Sequence, residues 1–498
     1  MPNMSVKNAS LMGLLLFSLA GNTMKAQRVP TGIYAVVHVE EVVSPFQIEG
    51  LSKPAIDKKL VSFYGGLLSN AAVSGLALQI HWDTLNPHSP PHTNPYFWNY
   101  LDDAFSAVAS WNSSNPSAAP KTIQLIVTPG FNSPKWMLDE LTSCDGLFYS
   151  PEVVPPASCG KVTFSNFTEG GDGMELPLPW NTTYQAAWKT FLQALATRYN
   201  SNPAFVSIAI AGPTAASAEM IMPNDSNCGD QTQFMVDGGA DIKPTKMWEA
   251  LLQLAYPTNS VYWASDQAFI DAWDQAIDMY GEVFSNITLV ATTGSGLPTF
   301  HSAKSTFPPP TAPIDFTPDC AGTESMDCQA ETKILSYFVQ LSAGGTNAKA
   351  TQTSGLEATR EGKLNLGMDA VKYLSETTAG GTAATSQILG GAQINSALSK
   401  GDKALKIGGS AIVEQALFNT LAYFFTGTNA ASFYCEPAVE TGAFGPAPLN
   451  YLQIYYPDIQ YAASNGPGTV TASCFTGSLS AQDELNSASS NLISIAEP

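Results

Sequence analysis

The sequence predicts an α/β fold, because two patterns alternate along the chain. Short, nearly continuous apolar runs such as Ile33–Val39 and Ile123–Val127 are typical of buried parallel strands. Between them lie segments with apolar residues at helical spacing, such as Thr183–Asn200. No linker rich in Pro, Gly and Ser divides the 498 residues, so the pattern predicts a single domain.

Strand and helix alternate about eight times, which is the pattern of a (β/α)8 TIM barrel. The predicted strands are Ile33–Val39, Leu76–Ile80, Ile123–Val127, Phe205–Ala211, Ile287–Ala291, Ala348–Ser354, Ser386–Ile394 and Tyr451–Tyr456. The predicted helices are Tyr96–Trp111, Thr183–Asn200 with Thr182 or Thr183 as its cap, a stretch from about Lys246 to Phe284, Glu331–Leu341 and Gly408–Phe425. A doubly wound open sheet is the main alternative, although no GxGxxG or Walker-type loop follows a strand.

The two ends of the chain differ in composition from the predicted barrel, which spans residues 27–461. Residues 1–26 resemble a secretory signal peptide, with Lys7 before the apolar run Leu11–Ala20 and Ala26 at the expected cleavage point. The alternative, a membrane anchor, needs about 20 apolar residues, and this run is too short. We therefore expect a secreted or periplasmic protein with no membrane attachment after cleavage. Residues 462–498 are rich in Ser, Ala and Asn and are expected to form a peripheral tail.

The charge of the chain limits its partners. With 22 Lys and Arg against 42 Asp and Glu, the formal net charge is −20. Nucleic acids and anionic membranes are bound by clustered basic residues, so neither is an expected partner. The sequence does not determine the oligomeric state.

All seven cysteines follow the predicted cleavage point, and an oxidising compartment would allow them to form disulfides. The favoured pairs close short loops, and a third pair is less constrained: Cys144–Cys159, Cys320–Cys328 and Cys435–Cys474. These three pairs leave Cys228 unpaired. The pair Cys144–Cys159 would brace the long loop that runs from the third strand to about Pro179. No CxxC motif occurs and the five histidines lack ligand spacing, so we expect neither a metal nor an organic cofactor.

Residues that follow the predicted strands suggest a carbohydrate site, because barrels bind ligands at the carboxyl ends of their strands. His81 and Trp82 follow the second strand and Trp136 lies in the loop after the third. Aromatic rings stack on the C–H faces of sugars, so these three residues are predicted to hold sugar rings. The alternative is that the aromatic side chains cap the core.

Glu219 is the candidate general acid. It follows the fourth strand in a loop of small residues, Ala215–Ala218, which leaves room for a ligand. Such weakly polar surroundings favour the protonated form that a general acid needs. The alternative is an ordinary loop glutamate, exposed to solvent or capping a helix.

Three groups of residues resemble the (β/α)8 glycoside hydrolases of the large retaining clan that includes the family-5 and family-42 enzymes. The resemblance covers roughly residues 30–225. The matching residues are Trp82, Asn86-Pro87, Phe97-Trp98 and Leu101-Asp102; Ser133-Pro-Lys-Trp136; and Leu178-Pro-Trp180, Trp188, Arg198-Tyr199 and Asn202-Pro203. The resemblance implies a barrel that hydrolyses O-glycosidic bonds, with Glu219 as acid/base.

The sequence departs from the clan pattern at two positions. Ala218 stands before Glu219, where the clan usually has Asn, and Gln393 occupies the seventh-strand position of the nucleophilic Glu. An amide cannot attack an anomeric carbon as a carboxylate does, so Gln393 is predicted to contact substrate instead. Glu357, after the predicted sixth strand, is the first choice for the second carboxylate. Glu436, Glu440 and Asp458 are further candidates.

The sequence thus predicts a secreted glycoside hydrolase that cleaves a polysaccharide or oligosaccharide with two carboxylates, Glu219 and Glu357. The main alternative is a non-catalytic carbohydrate-binding barrel, which the glutamine at position 393 favours. A secreted barrel with a ligand other than a sugar is a third possibility.

Overall fold

The computed structural model describes residues 28–149, 154–168, 173–236, 240–265, 267–284, 287–298, 364–366, 389–394, 449–464, 468–471 and 476–496. These residues form a mixed α/β fold around a curled sheet of parallel strands. The sheet contains β1 (Gly32–His38), β2 (Val73–His81), β3 (Thr122–Thr128), β6 (Phe205–Ala209), β7 (Glu219–Ile221), β10 (Thr288–Gly296), β11 (Leu364–Leu366), β12 (Leu389–Ile394) and β13 (Leu449–Tyr455). Three two-stranded sheets accompany it: β4 (Lys161–Phe164) with β5 (Met174–Pro177), β8 (Gln231–Val236) with β9 (Ala240–Ile242), and β14 (Gly468–Thr471) with β15 (Thr476–Leu479).

The order of the strands in the main sheet is β11-β12-β13-β1-β2-β3-β6-β10-β7, and every pair is parallel. The first strand, β1, lies between β2 and the last strand, β13, and β11 also pairs with β10. The predicted parallel sheet is therefore confirmed. The sixth predicted strand, Ala348–Ser354, lies outside the described residues, and the strand between β10 and β12 is Leu364–Leu366.

A hydrogen bond inside the sheet shows how strongly it curls. Gln453 of β13 donates from Nε2 to Oε1 of Gln124 in β3 at 2.8 Å, and both side chains are buried. Strands β1 and β2 separate these two strands, which would place them about 14 Å apart in a flat sheet. The contact on one face therefore requires that face to be concave, and the polar residues Ser207 and Thr288 are buried at neighbouring register positions.

Helices connect and cover the strands. They are α1 (Val39–Ile48), α2 (Lys53–Leu68), α3 (Trp82–Leu85), α4 (Asn99–Ser114), α5 (Lys135–Asp139), α6 (Gly146–Tyr149), α7 (Thr182–Tyr199), α8 (Pro244–Ala255), α9 (Gln267–Val283), α10 (Tyr456–Ser464) and α11 (Ala481–Ala496). The predicted helices Glu331–Leu341 and Gly408–Phe425 lie outside the described residues. Within the part of the chain that the structure describes, none of the helices has the length and apolar character required to span a membrane.

Helix α7 shows how local sequence sets a boundary. Its apolar stripe of Trp188, Phe191 and Leu195 is buried, as the periodicity predicts. The cap is Asn181, whose side-chain oxygen accepts the backbone N–H of Tyr184 at 3.0 Å, and not Thr182 or Thr183.

The loop between β3 and α7 is long and carries the disulfide Cys144–Cys159, which confirms that predicted pair. The other predicted pairs lie outside the described residues. Cys228 is buried without a disulfide partner among the described residues, as predicted. Burial raises the pKa of its thiol to about 12, which keeps it protonated and unreactive at neutral pH.

The C-terminal segment contributes to the core, contrary to the expected peripheral tail. Helix α11 packs against β1 and β13, and its residues Leu485, Ala488 and Leu492 are buried. The Ser-rich composition was misleading because this helix buries an apolar stripe, and its polar residues Glu484 and Ser489 are buried as well.

Candidate active site

The short strand β7 carries Glu219 to the carboxyl-terminal half of β10. The two strands run parallel, with Glu219 opposite Thr292. Met220 is fully buried, so the side chains of Glu219 and Ile221 point to the other face of the strand, where both residues are half-buried. Buried Ala215 and Ala218 precede it. The backbone N–H of Glu219 donates to Oγ of Ser217 at 3.0 Å.

The turn after β3 holds the loop that leads to Glu219. Gly130–Asn132 form a single 3-10 turn, in which Gly130 has φ of +74°. The N–H of Phe131 donates to the carbonyl of Ala215 at 2.6 Å, and Nδ2 of Asn132 contacts the carbonyl of Ala216 at 3.3 Å. Because Ala215 in turn bonds to Ile221, the ends of β3 and β7 form one hydrogen-bonded unit.

His81 ends β2 and lies near two carboxylates. Its backbone N–H donates to Oε1 of Glu40 at 2.9 Å, and its Nδ1 is 3.9 Å from Oδ1 of Asp83. Burial raises the pKa of Asp83, while the neighbouring His81 opposes that rise. The imidazole is partly exposed at the carboxyl end of the sheet, where a ligand could reach it.

Trp82 does not have the position that sugar stacking requires. It is 0% exposed and packs against the rings of Trp136, Trp188 and Phe191. The aromatic residue after β2 therefore belongs to the core, as the alternative interpretation of the sequence holds. Trp136 is half-buried and retains an accessible surface.

Asn86, which sequence reasoning named only as part of a motif, organises both tryptophans. Its side-chain oxygen accepts Nε1 of Trp82 at 3.3 Å, and its backbone carbonyl accepts Nε1 of Trp136 at 2.9 Å. The amide nitrogen donates to the carbonyls of His88 and Pro95, at 2.9 and 3.0 Å. The Asn-Pro pair, directly after α3, was the available signal for this role.

The remaining predicted site residues lie late in the chain. The backbone of Gln393 pairs with Gln453 between β12 and β13. Its contact with substrate stays a prediction, and Glu357 lies outside the described residues. Among the described residues, no group of three or more His, Cys, Asp or Glu side chains could hold a metal ion.

Comparisons with known proteins give only distant structural similarity. No protein-family model and no curated protein matches the chain. A β-galactosidase from Bacillus circulans sp. alkalophilus has 12% sequence identity and a TM-score of 0.25, over 53% of this chain and 37% of that protein. A β-galactosidase from Rahnella sp. R3 has 12% identity and a TM-score of 0.27, over 81% of this chain and 43% of that protein. The chain thus spans less than half the length of either structure.

Proposed function

We propose that the protein is a glycoside hydrolase built on a (β/α)8 barrel, with Glu219 as its catalytic acid. The observation that carries the proposal is the position of Glu219. It is half-buried on β7, beside the carboxyl-terminal half of β10, and the loop that precedes β7 is bonded to the turn after β3. Carboxylates at the carboxyl ends of parallel strands are where barrel enzymes place catalytic groups.

The strand pairing supports the barrel. Apart from the short strand β7, the strands of the sheet follow chain order, the first pairs with the last, and β10 pairs with β11. A doubly wound sheet would reverse its order at a switch point and keep two free edges. The hydrogen bond between Gln124 and Gln453 across the concave face fits the filled interior of a closed barrel.

The proposed chemistry needs a second carboxylate. Protonated Glu219 gives its proton to the glycosidic oxygen as the bond to the anomeric carbon breaks. Glu357 is the proposed partner, either as a nucleophile about 5–5.5 Å away or as a base that activates water across about 6.5–9.5 Å. His81 is proposed to hold a sugar hydroxyl at the carboxyl end of β2.

The proposed location is extracytoplasmic, with a carbohydrate as the partner. The leader-like residues 1–26 and the disulfide Cys144–Cys159 support this location, because disulfides persist in oxidising compartments.

The test compares wild type with Glu219→Gln on glycosides of different leaving groups. Phenyl and 2,4-dinitrophenyl glycosides of galactose, glucose, mannose and xylose would be assayed in both anomeric forms. The loss of a general acid lowers kcat/KM on the phenyl glycosides by about 10²–10⁴-fold. Dinitrophenolate leaves without needing a proton, so kcat/KM on the dinitrophenyl glycosides should fall far less.

Glu282→Gln is the matched control, since Glu282 pairs with Lys189 on the surface between α9 and α7 and has no role in the proposed site. Equal losses on both leaving groups would contradict the acid role. Full activity of Glu219→Gln on every substrate would contradict the whole assignment.

A carbohydrate-binding protein without turnover is the second candidate. The pairing of Gln393 with Gln453 favours it, since Gln393 stands where the clan's nucleophile is expected and its register partner on β13 is also an amide residue. Oligosaccharide binding in calorimetry, with no reducing ends released over days, would support this candidate against the enzyme.

A further inference from the structure

A hollow of about 440 Å³ lies on the flank of α7. Its walls are the half-buried rings of Trp136 and Tyr96, and Glu140 stands at its edge. Exposed Ala186, Thr183 and Thr190 of α7 form a floor of small residues. Pockets for small molecules span about 300–1,000 Å³, so this hollow has room for a small ligand.

The hollow is lined by helices and loops. Its lining side chains come from α5, α7 and the segment between α3 and α4, together with Glu140 just after α5, and none of them lies on a strand. Glu219, in contrast, lies on β7 beside β10. Glu219 is therefore not one of the residues that line the hollow.

Both aromatic walls are held in fixed orientations. Nε1 of Trp136 donates to the carbonyl of Asn86 at 2.9 Å, and the indole meets buried Trp82 edge-on, with ring centroids 6.4 Å apart. Tyr96 stacks on Trp98 with centroids 5.0 Å apart. Rings fixed before binding lose little conformational entropy when a ligand arrives.

We infer that this hollow is a second carbohydrate site, which binds a neutral saccharide of one or two rings outside the catalytic centre. The two rings offer flat surfaces for sugar C–H faces, and Thr183, Thr190 and Glu140 offer hydrogen-bonding groups for hydroxyls. Among the described residues that line it, none is basic, and Glu140 repels anions. These features select an uncharged, hydroxyl-rich ligand over a phosphate or an acidic sugar.

The test is isothermal calorimetry of the whole protein with cellobiose, lactose, mannobiose and xylobiose, each up to tens of millimolar. At least one disaccharide should bind wild type and Glu219→Gln with the same Kd. Trp136→Ala should weaken that binding about tenfold through loss of the stacking surface. Trp263→Ala, at a partly exposed tryptophan that does not line the hollow, should leave it unchanged.

A second variant tests the hollow independently, in case Trp136→Ala does not fold. Ala186→Leu adds volume from an exposed helix position, so it should fill the floor of the hollow and abolish binding with an unchanged circular dichroism spectrum. Binding that survives both Trp136→Ala and Ala186→Leu would overturn the inference, as would the absence of binding by all four disaccharides. The inference does not rest on catalysis: loss of turnover in Glu219→Gln with this binding retained separates the two proposals.

Discussion

Gly130→Ala should destabilise the protein by displacing the loop that carries Glu219. A Cβ at position 130 would lie 2.2 Å from the carbonyl oxygen of Ala215 and 2.4 Å from that of Thr214. Both are backbone atoms, so the loop or the turn must move. The left-handed conformation at φ of +74° costs a residue with a Cβ about 1–2 kcal/mol. Losing the bond from Phe131 to Ala215 adds about 1 kcal/mol.

The expected loss in the free energy of unfolding is about 2–3 kcal/mol, which lowers the ratio of folded to unfolded protein by about 30- to 150-fold. Urea unfolding followed by tryptophan fluorescence measures it. Gly65→Ala is the control, because Gly65 lies inside α2 with open space around its Cβ position. An alanine there should stabilise the helix by about 0.5–1 kcal/mol. A Gly130→Ala variant as stable as wild type would refute the proposed docking of the loop.

Three further predictions concern stability. Trp82→Ala should lower the free energy of unfolding by about 3–5 kcal/mol, because it leaves a cavity where a fully buried aromatic ring was. Thermal unfolding would measure the loss, and an unchanged melting temperature would contradict the packing described for Trp82. Replacing Cys144 and Cys159 by serine should lower the free energy of unfolding by about 3 kcal/mol, since their disulfide closes a loop with a sequence separation of 15. A shift of the unfolding midpoint in urea tests this, and an unchanged midpoint would show that the disulfide constrains the unfolded chain little. Burial and the neighbouring Asp57 raise the pKa of Asp103 to about 6, well above its unfolded value near 4. Because the folded state therefore favours the protonated acid, the free energy of unfolding should fall as pH rises from about 4 to 6. Asp103→Asn should remove this pH dependence and stabilise the protein at pH 7 by less than about 1 kcal/mol, since water screens the half-buried carboxylate; an unchanged pH profile would contradict the shift.

The strands of the sheet were largely predictable, because strands buried on both faces appear as unbroken apolar runs. In β1, Gly32–Val37 are all buried. The short strand Leu364–Leu366 was missed, since three residues carry no periodicity. Helix α1 was also missed, because Pro45 interrupts its pattern, although acidic Glu40 and Glu41 in its first turn were a start signal.

The candidate site was predictable only in part, because its geometry comes from contacts between distant segments. Glu219 could be chosen as the candidate acid because it follows a predicted strand and has small neighbours. The contact between Phe131 and Ala215 joins segments more than 80 residues apart, and no local pattern encodes it. Trp82 illustrates the same limit: a place after a strand does not determine whether a ring faces solvent or the core.

The most direct test of the proposed function follows reducing ends by proton NMR while the protein acts on neutral oligosaccharides and polysaccharides. Wild type should release reducing ends from at least one of them. The rate for Glu219→Gln should be at least about 10²-fold lower, with the free energy of unfolding unchanged. Equal rates for the two proteins, or no release by wild type, would contradict the assignment of Glu219 as a catalytic acid.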